Sequence, residues 1–227
     1  MKQINKTLST IKQGILGGFN GRVGNVIGST WKGKSVMKIR PASVFNPNTE
    51  RQQLQRAKFG LVGRFIQAHR NLIRIGFRAY TKSMTAANAA MSYNLANAIT
   101  GNFADLSIDY SKVMLSMGTL TPVSGVSAVS EAGASVTFNW TSNNQAGNAS
   151  DNDQLIASFY DSATGEVVYY PGFASRQEAS SVISLPADWS GRTAEMFVFL
   201  VSLEGNGLSA NRGSVSSTVY AGSVAIS

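Results

Sequence analysis

The sequence predicts an α+β protein in which helix and strand occupy different stretches of the chain. Three observations point there. Apolar residues recur at three- and four-residue spacing between residues 46 and 99. Short strand-like segments separated by turn residues fill residues 123–227. Charge divides along the same line. Residues 1–100 hold 16 of the 20 Lys and Arg residues and one acid, Glu50; from Val113 onward there are three basic residues (Arg176, Arg192, Arg212) and nine acidic ones. The two halves are expected to face different surroundings, the basic one an anion-rich or acidic surface.

Residues 14–40 read as glycine-punctuated strands. Val23, Asn25 and Ile27 share one face by alternation, as do Val36, Lys38 and Arg40, with Met37 and Ile39 opposite. Residues 31–34 (Trp-Lys-Gly-Lys) supply the turn of a hairpin. Asn46 and Pro47 mark a helix start, and Glu50 falls where the helix dipole favours an anion. Leu54, Ala57, Leu61, Val62, Phe65 and Ile66 then form one apolar face. A break is expected near Ala68–Asn71. The following run to Tyr80 fits helix or strand, because Gly76 and its β-branched neighbours weaken a helix. Thr85 caps a third segment with Met91, Leu95 and Ala98 on its buried side. Residues 105–116 read as a strand, and residues 117–122 as a linker between an N-terminal domain, 1–120, and a second domain, 123–227.

That second domain shows about seven short strands: 125–130, 135–141, 153–161, 166–171, 176–185, 194–204 and 212–226. The pattern is that of an immunoglobulin-like or fibronectin-III-like sandwich. Trp140, Phe197 and Phe199 are its expected core between the sheets.

The bulk numbers bound the chemistry. The 227 residues can bury a real core in one or two domains. Only 14% are charged, against about 25% in an ordinary domain, which suits a surface turned toward neighbours or a turn-rich β domain. With no cysteine, disulfides, thiolate catalysis and Cys-ligated metals are excluded. The basic N-terminus lacks a following apolar run, so no signal peptide is expected, and no run approaches a membrane span.

Residues 28–35 (Gly-Ser-Thr-Trp-Lys-Gly-Lys-Ser) match the phosphate-binding pattern G-x-x-x-x-G-K-[ST]. The sequel meets Pro41 within two turns and alternates like a strand, so a hairpin turn is the expectation. His69 is the only histidine, and no Ser–His–Asp set can be built around it; it is expected at a helix end, where positive charge is favourable. Asp151 and Asp153 read as a solvated loop rather than a calcium site. Asp109 with Lys112 reads as an ion pair. Neither metal nor cofactor is expected. The candidate contacts to DNA or an acidic partner are Lys2, Lys6 and Lys12 in a basic arm, and Arg70, Arg74 and Arg78, which form one row if their segment is helical.

Four segments also resemble a family of unknown function found in Bacteroidetes genomes and in phages and prophages of that group. They are Gly-Ile-Leu-Gly-Gly-Phe-x-Gly-x-Val-Gly-Asn-Val-Ile-Gly-Ser-x-Trp-Lys-Gly over residues 14–33 and Asn-Pro-Asn-Thr-Glu-x-Gln-Gln-x-Gln-Arg-Ala-Lys-Phe over 46–59. The others are Asn-Ala-Ala-Met-Ser-Tyr-Asn-Leu-x-Asn-Ala-Ile-Thr-Gly over 88–101 and Ile-Asp-Tyr-Ser-Lys-Val over 108–113. The resemblance covers nearly the whole chain and assigns no activity. It implies a virion structural protein, and the expectation built on it is a neck or tail component, made in the host cytoplasm, that forms a homo-oligomeric ring and contacts other virion proteins, its basic half meeting either DNA or an acidic partner. The alternatives are a capsid decoration or packaged virion protein, a host-encoded nucleic-acid-binding protein, and a carbohydrate-binding sandwich using Tyr169, Tyr170 and Trp189. No membrane association is expected.

Overall fold

The computed structural model describes residues 10–11, 17–31, 33–43, 46–81, 84–102, 105–203 and 214–227. Lys2, Lys6 and Lys12 lie outside them. The chain is mostly β-sheet with a few helices, and it divides into two compact units, residues 1–49 and 50–227.

The first unit is an antiparallel meander of β1 (Thr10–Ile11), β2 (Phe19–Val23), β3 (Val26–Trp31) and β4 (Lys34–Ile39), in that spatial order. The single strand expected across residues 22–31 is broken. Gly24 and Asn25 form a two-residue loop, with Val23 paired to Val26 across it. Gly24 takes φ +57°, which suits the first position of such a hairpin turn. Val23, Asn25 and Ile27 therefore do not share a strand face. The second turn falls where the sequence places it, between the Trp31–Lys34 pair. Lys34 and Ser35 open a strand rather than a helix, so the phosphate-loop pattern lacks the helix N-terminus its chemistry needs.

The second unit opens with α1 (Glu50–Ala68), which buries Val62, Phe65 and Ile66. The helix starts three residues later than Asn46–Pro47 suggests. The expected break falls at His69, and the ambiguous run after it is helical: α2 (Arg70–Gly76), then a 3₁₀ turn at Arg78–Tyr80. At Gly76 an added Cβ would meet the Leu115 carbonyl oxygen at 2.2 Å, so the glycine that weakens the helix on paper admits a close backbone crossing. The Thr85 side chain caps α3 (Ala86–Asn97) by accepting from the Asn88 amide at 3.1 Å. The buried face of α3 carries Ala86, Ala89, Ala90 and Asn94, while Met91 and Leu95 are only partly covered. Asn94 bridges to the Met114 backbone in both directions, at 2.9 Å each.

The strand expected over 105–116 shrinks to β6 (Ser107–Ile108), paired with β5 (Ile99–Thr100). The Asp109 carboxylate accepts from the Ser111 amide at 3.2 Å and turns the chain into a 3₁₀ turn, Tyr110–Lys112. Asp109 also pairs with Lys112 at 2.7 Å.

Seven strands follow: β7 (Ser124–Glu131), β8 (Ser135–Thr141), β9 (Gln154–Asp161), β10 (Val167–Ser175), β11 (Ser180–Ser184), β12 (Thr193–Val201) and β13 (Val219–Ala225). They form a three-stranded sheet ordered β11-β8-β7 and a four-stranded sheet ordered β10-β9-β12-β13, all antiparallel. One shared core takes Val136, Phe138 and Trp140 from β8, Leu155, Ala157 and Phe159 from β9, and Met196, Val198 and Leu200 from β12.

Phe197 and Phe199 do not join that core. They point to the other face of β12, where with Ile156 and Tyr160 they pack against Val62, Phe65, Leu72 and Phe77 of the helical region. Alternation along β12 requires this: with Met196, Val198 and Leu200 facing one way, the odd-numbered residues face the other. The consequence is a domain boundary different from the expected one. Residues 117–122 are sewn in rather than free. Leu120 is buried and donates its amide to the Val215 carbonyl at 3.1 Å, and the Met117 amide reaches the Gly76 carbonyl at 3.0 Å. The helices share one unit with the four-stranded sheet because the phenylalanines of β12 pack against them.

Arg176 supplies the other tie. Fully buried, it donates from Nε and Nη2 to the Asp153 carboxylate at 3.1 and 2.9 Å, from Nη2 to the Thr121 carbonyl and from Nη1 to Asn143, while its own carbonyl accepts from the Trp140 indole. Asp153 is therefore a buried structural anion, not part of a solvated loop. Among the described residues no helix is long and apolar enough to cross a membrane.

Candidate interaction surface

Register assigns the faces of the N-terminal sheet. Residues directly opposite on neighbouring strands share a face. The partners Arg22–Ile27–Lys38, Ser29–Val36 and Trp31–Lys34 therefore lie on one side. Arg40 continues the alternation, its amide held by the Asn25 carbonyl at 2.7 Å. The other side carries the partners Val23–Val26–Ile39 and Gly28–Met37. Gly28 is required there: an added Cβ would fall 2.6 Å from the Phe19 ring, which lies across it.

Both faces carry exposed side chains among the described residues. Trp31 is 60% exposed, Met37 68% and Ile39 77%, and every residue of β4 is exposed. β4 is also the last strand of its sheet. Residues 1–49 contain eight Lys and Arg residues and no acid, so this unit carries all of the chain's net charge of +8. One face is thus basic with an exposed indole, and the other is apolar.

The residues singled out from sequence lie elsewhere. Arg70 and Arg74 are exposed on α2. Arg78 falls beyond the helix in the 3₁₀ turn, half-buried, and burial lowers its pKa, so the three do not form one exposed helical row. Trp140 is buried, and its indole is satisfied by Arg176. Trp189 is buried, whereas Tyr169 is partly exposed.

His69 ends α1 inside the core that joins helices to sheet. Its Nδ1 donates to the Phe65 carbonyl at 2.9 Å, its ring lies 4.2 Å from that of Phe65, and Nε2 has no hydrogen-bond partner among the described residues. Burial pulls its pKa down to about 4. The expected helix-end cation is a neutral imidazole, because desolvation outweighs the dipole. Nearby, a polar cleft of about 260 Å³ is lined by Arg64, Ser107, Tyr110, Tyr160 and Ser162 among others. Burial raises the Tyr110 phenol to about 12 and Tyr160 in the same direction. These phenols stay neutral and serve as hydrogen-bonding groups, not bases. Among the described residues no group of three or more His, Cys, Asp or Glu residues is placed to hold a metal.

Alternation puts Val36, Lys38 and Arg40 on one face of the return strand, as the sequence predicts, and the register adds Arg22, Trp31 and Lys34 to that face.

Comparison with solved structures finds the fibronectin type III domain of human collagen α-1(XX), 14% identical, with a TM-score of 0.31, over 47% of this chain and 85% of that one. No curated protein matches the sequence. A family model matches residues 18–216, from the bare N-terminal sheet through the helices and both sheets of the second unit, and the chain therefore belongs to the family of unknown function DUF6266.

Proposed function

We propose that the protein is a non-enzymatic structural component of a phage particle, of the neck or tail, that associates with copies of itself through the apolar face of its N-terminal sheet. The single observation that carries this is the exposure of Val23, Met37 and Ile39 on one face of a sheet with an open edge strand. Monomeric proteins cover or blunt such edges. Apposed apolar faces from two copies would bury these side chains and leave both basic faces outward. Repetition around a ring would then enlarge the basic surface. The family resemblance in residues 14–33 and 46–59 supports the virion setting.

Within the second unit we propose a fibronectin-III-like sandwich. Its first, second and fifth strands share one sheet and the third, fourth, sixth and seventh share the other, as in that architecture. The helical layer on its outer face would fix how the sandwich projects from an assembly.

Native mass spectrometry of the full chain at two salt concentrations tests the association. A closed oligomer that persists at high salt and dissociates in Met37→Ser/Ile39→Ser is the expected result. A wild-type monomer at every concentration up to that of an assembling particle would overturn it. Mass spectrometry of particles induced from a host carrying the gene tests the virion assignment.

A further inference from the structure

We propose that the other face of the N-terminal sheet, bearing Arg22, Trp31, Lys34, Lys38 and Arg40, is a binding surface for single-stranded nucleic acid. Three observations converge on it. The cations sit on one side of one sheet, and among the described residues none of them is in an ion pair. No acid exists anywhere in residues 1–49 to neutralise them. Trp31 stands on the same side, 60% exposed and directly opposite Lys34.

The chemistry of the face distinguishes its ligand. Lys34 and Lys38, four residues apart on one strand, stand about 13 Å from each other, a spacing that lets both reach phosphates of one extended strand. A bare indole beside them offers a stacking platform, and base–aromatic stacking needs bases released from a duplex. Ile27, Ser29 and Val36 between the cations keep the surface flat and low in hydrogen-bonding groups, so base sequence is not read. An acidic protein would pair with the lysines and arginines but would gain little from the indole.

This inference is independent of self-association, which uses the opposite face. In an oligomer the basic faces remain outward and multiply.

The test is fluorescence anisotropy of labelled thirty-nucleotide oligo-dT with the full-length protein. A duplex of the same length and polyglutamate serve as competitors. Expected are binding to oligo-dT in preference to duplex and a roughly tenfold weakening in Trp31→Ala. The slope of log affinity against log salt should be near −3 and should fall by about 0.7 for each of Lys34→Ala and Lys38→Ala. Circular dichroism and light scattering should show the same fold and the same oligomer in each variant. Met37→Ser/Ile39→Ser, on the opposite face, should retain binding per chain. Equal affinity of wild type and Trp31→Ala would overturn the proposal, as would displacement by polyglutamate as effective as that by unlabelled oligo-dT, which would mark the face as a site for acidic protein.

Discussion

The two units of this chain treat charge and apolar surface in opposite ways. Residues 50–227 carry twelve basic and twelve acidic residues; residues 1–49 carry eight basic and none acidic. In the larger unit a cation that enters the interior is matched: Arg176 is fully buried, and every nitrogen of its guanidinium finds an acceptor on Asp153, Asn143 or the Thr121 carbonyl. Its central strands β9 and β12 are buried on both faces. In the N-terminal sheet the cations have no acid to meet, and Met37 and Ile39 face solvent. The larger unit gathers its buried apolar residues into two clusters and pairs its interior cation. The N-terminal sheet instead leaves Met37, Ile39 and Trp31 exposed beside cations that no acid of residues 1–49 offsets.

The contrast can be broken most sharply at Arg176. Arg176→Leu strands the buried Asp153 carboxylate, and urea denaturation should show a loss of about 3–5 kcal/mol. A loss under about 0.5 kcal/mol would mean that the ion pair does not tie the unit together.

His69 sharpens the comparison through pH. Its folded pKa, about 4, lies below the ordinary 6.5. Below pH 6.5 the unfolded chain binds a proton that the folded chain refuses until about pH 4. Stability is therefore full above 6.5 and falls by about 3 kcal/mol as the pH drops to 4. His69→Phe should flatten that slope, as read from denaturation midpoints across the interval. An unchanged slope would place its origin elsewhere.

The smallest effect belongs to the N-terminal sheet. Met37→Ser and Ile39→Ser should each change stability by no more than about 0.5 kcal/mol, measured in protein dilute enough to leave the wild type monomeric. Phe197→Ala should cost about 3–5 kcal/mol. Comparable losses at the two places would show that the sheet is already covered within its own chain.

Much of the local structure was legible. The cap at Thr85, the Val62, Phe65 and Ile66 part of the apolar face of α1 and the hairpin turn between Trp31 and Lys34 follow from side-chain chemistry and spacing within a few residues; Ala57, expected on that face, is exposed. The Gly24–Asn25 turn was legible in principle, since Gly-Asn between two valines favours a hairpin, but alternation across Val23, Asn25 and Ile27 argued for one continuous strand. The assignment of Phe197 and Phe199 had no such local signal. Met196–Val201 is an unbroken apolar run, which tells that both faces are buried but not which neighbour each face meets. The role of Arg176 was equally hidden, because Asp153, Asn143 and Thr121 are 23, 33 and 55 residues away.

The sequence by itself determined the segregation of charge, the kind of secondary structure in most segments and the order of the β-strands along the chain. These depend on composition and on interactions between near neighbours. Only the tertiary structure decided that the helices close one face of the four-stranded sheet, that Leu120 of the expected linker is buried and hydrogen-bonded into the larger unit, and that Trp31 and the surrounding cations come to one exposed face. Those outcomes depend on which apolar surfaces meet and which buried polar groups find partners across long stretches of chain. Hydrophobic burial is non-directional and leaves no mark at any single position.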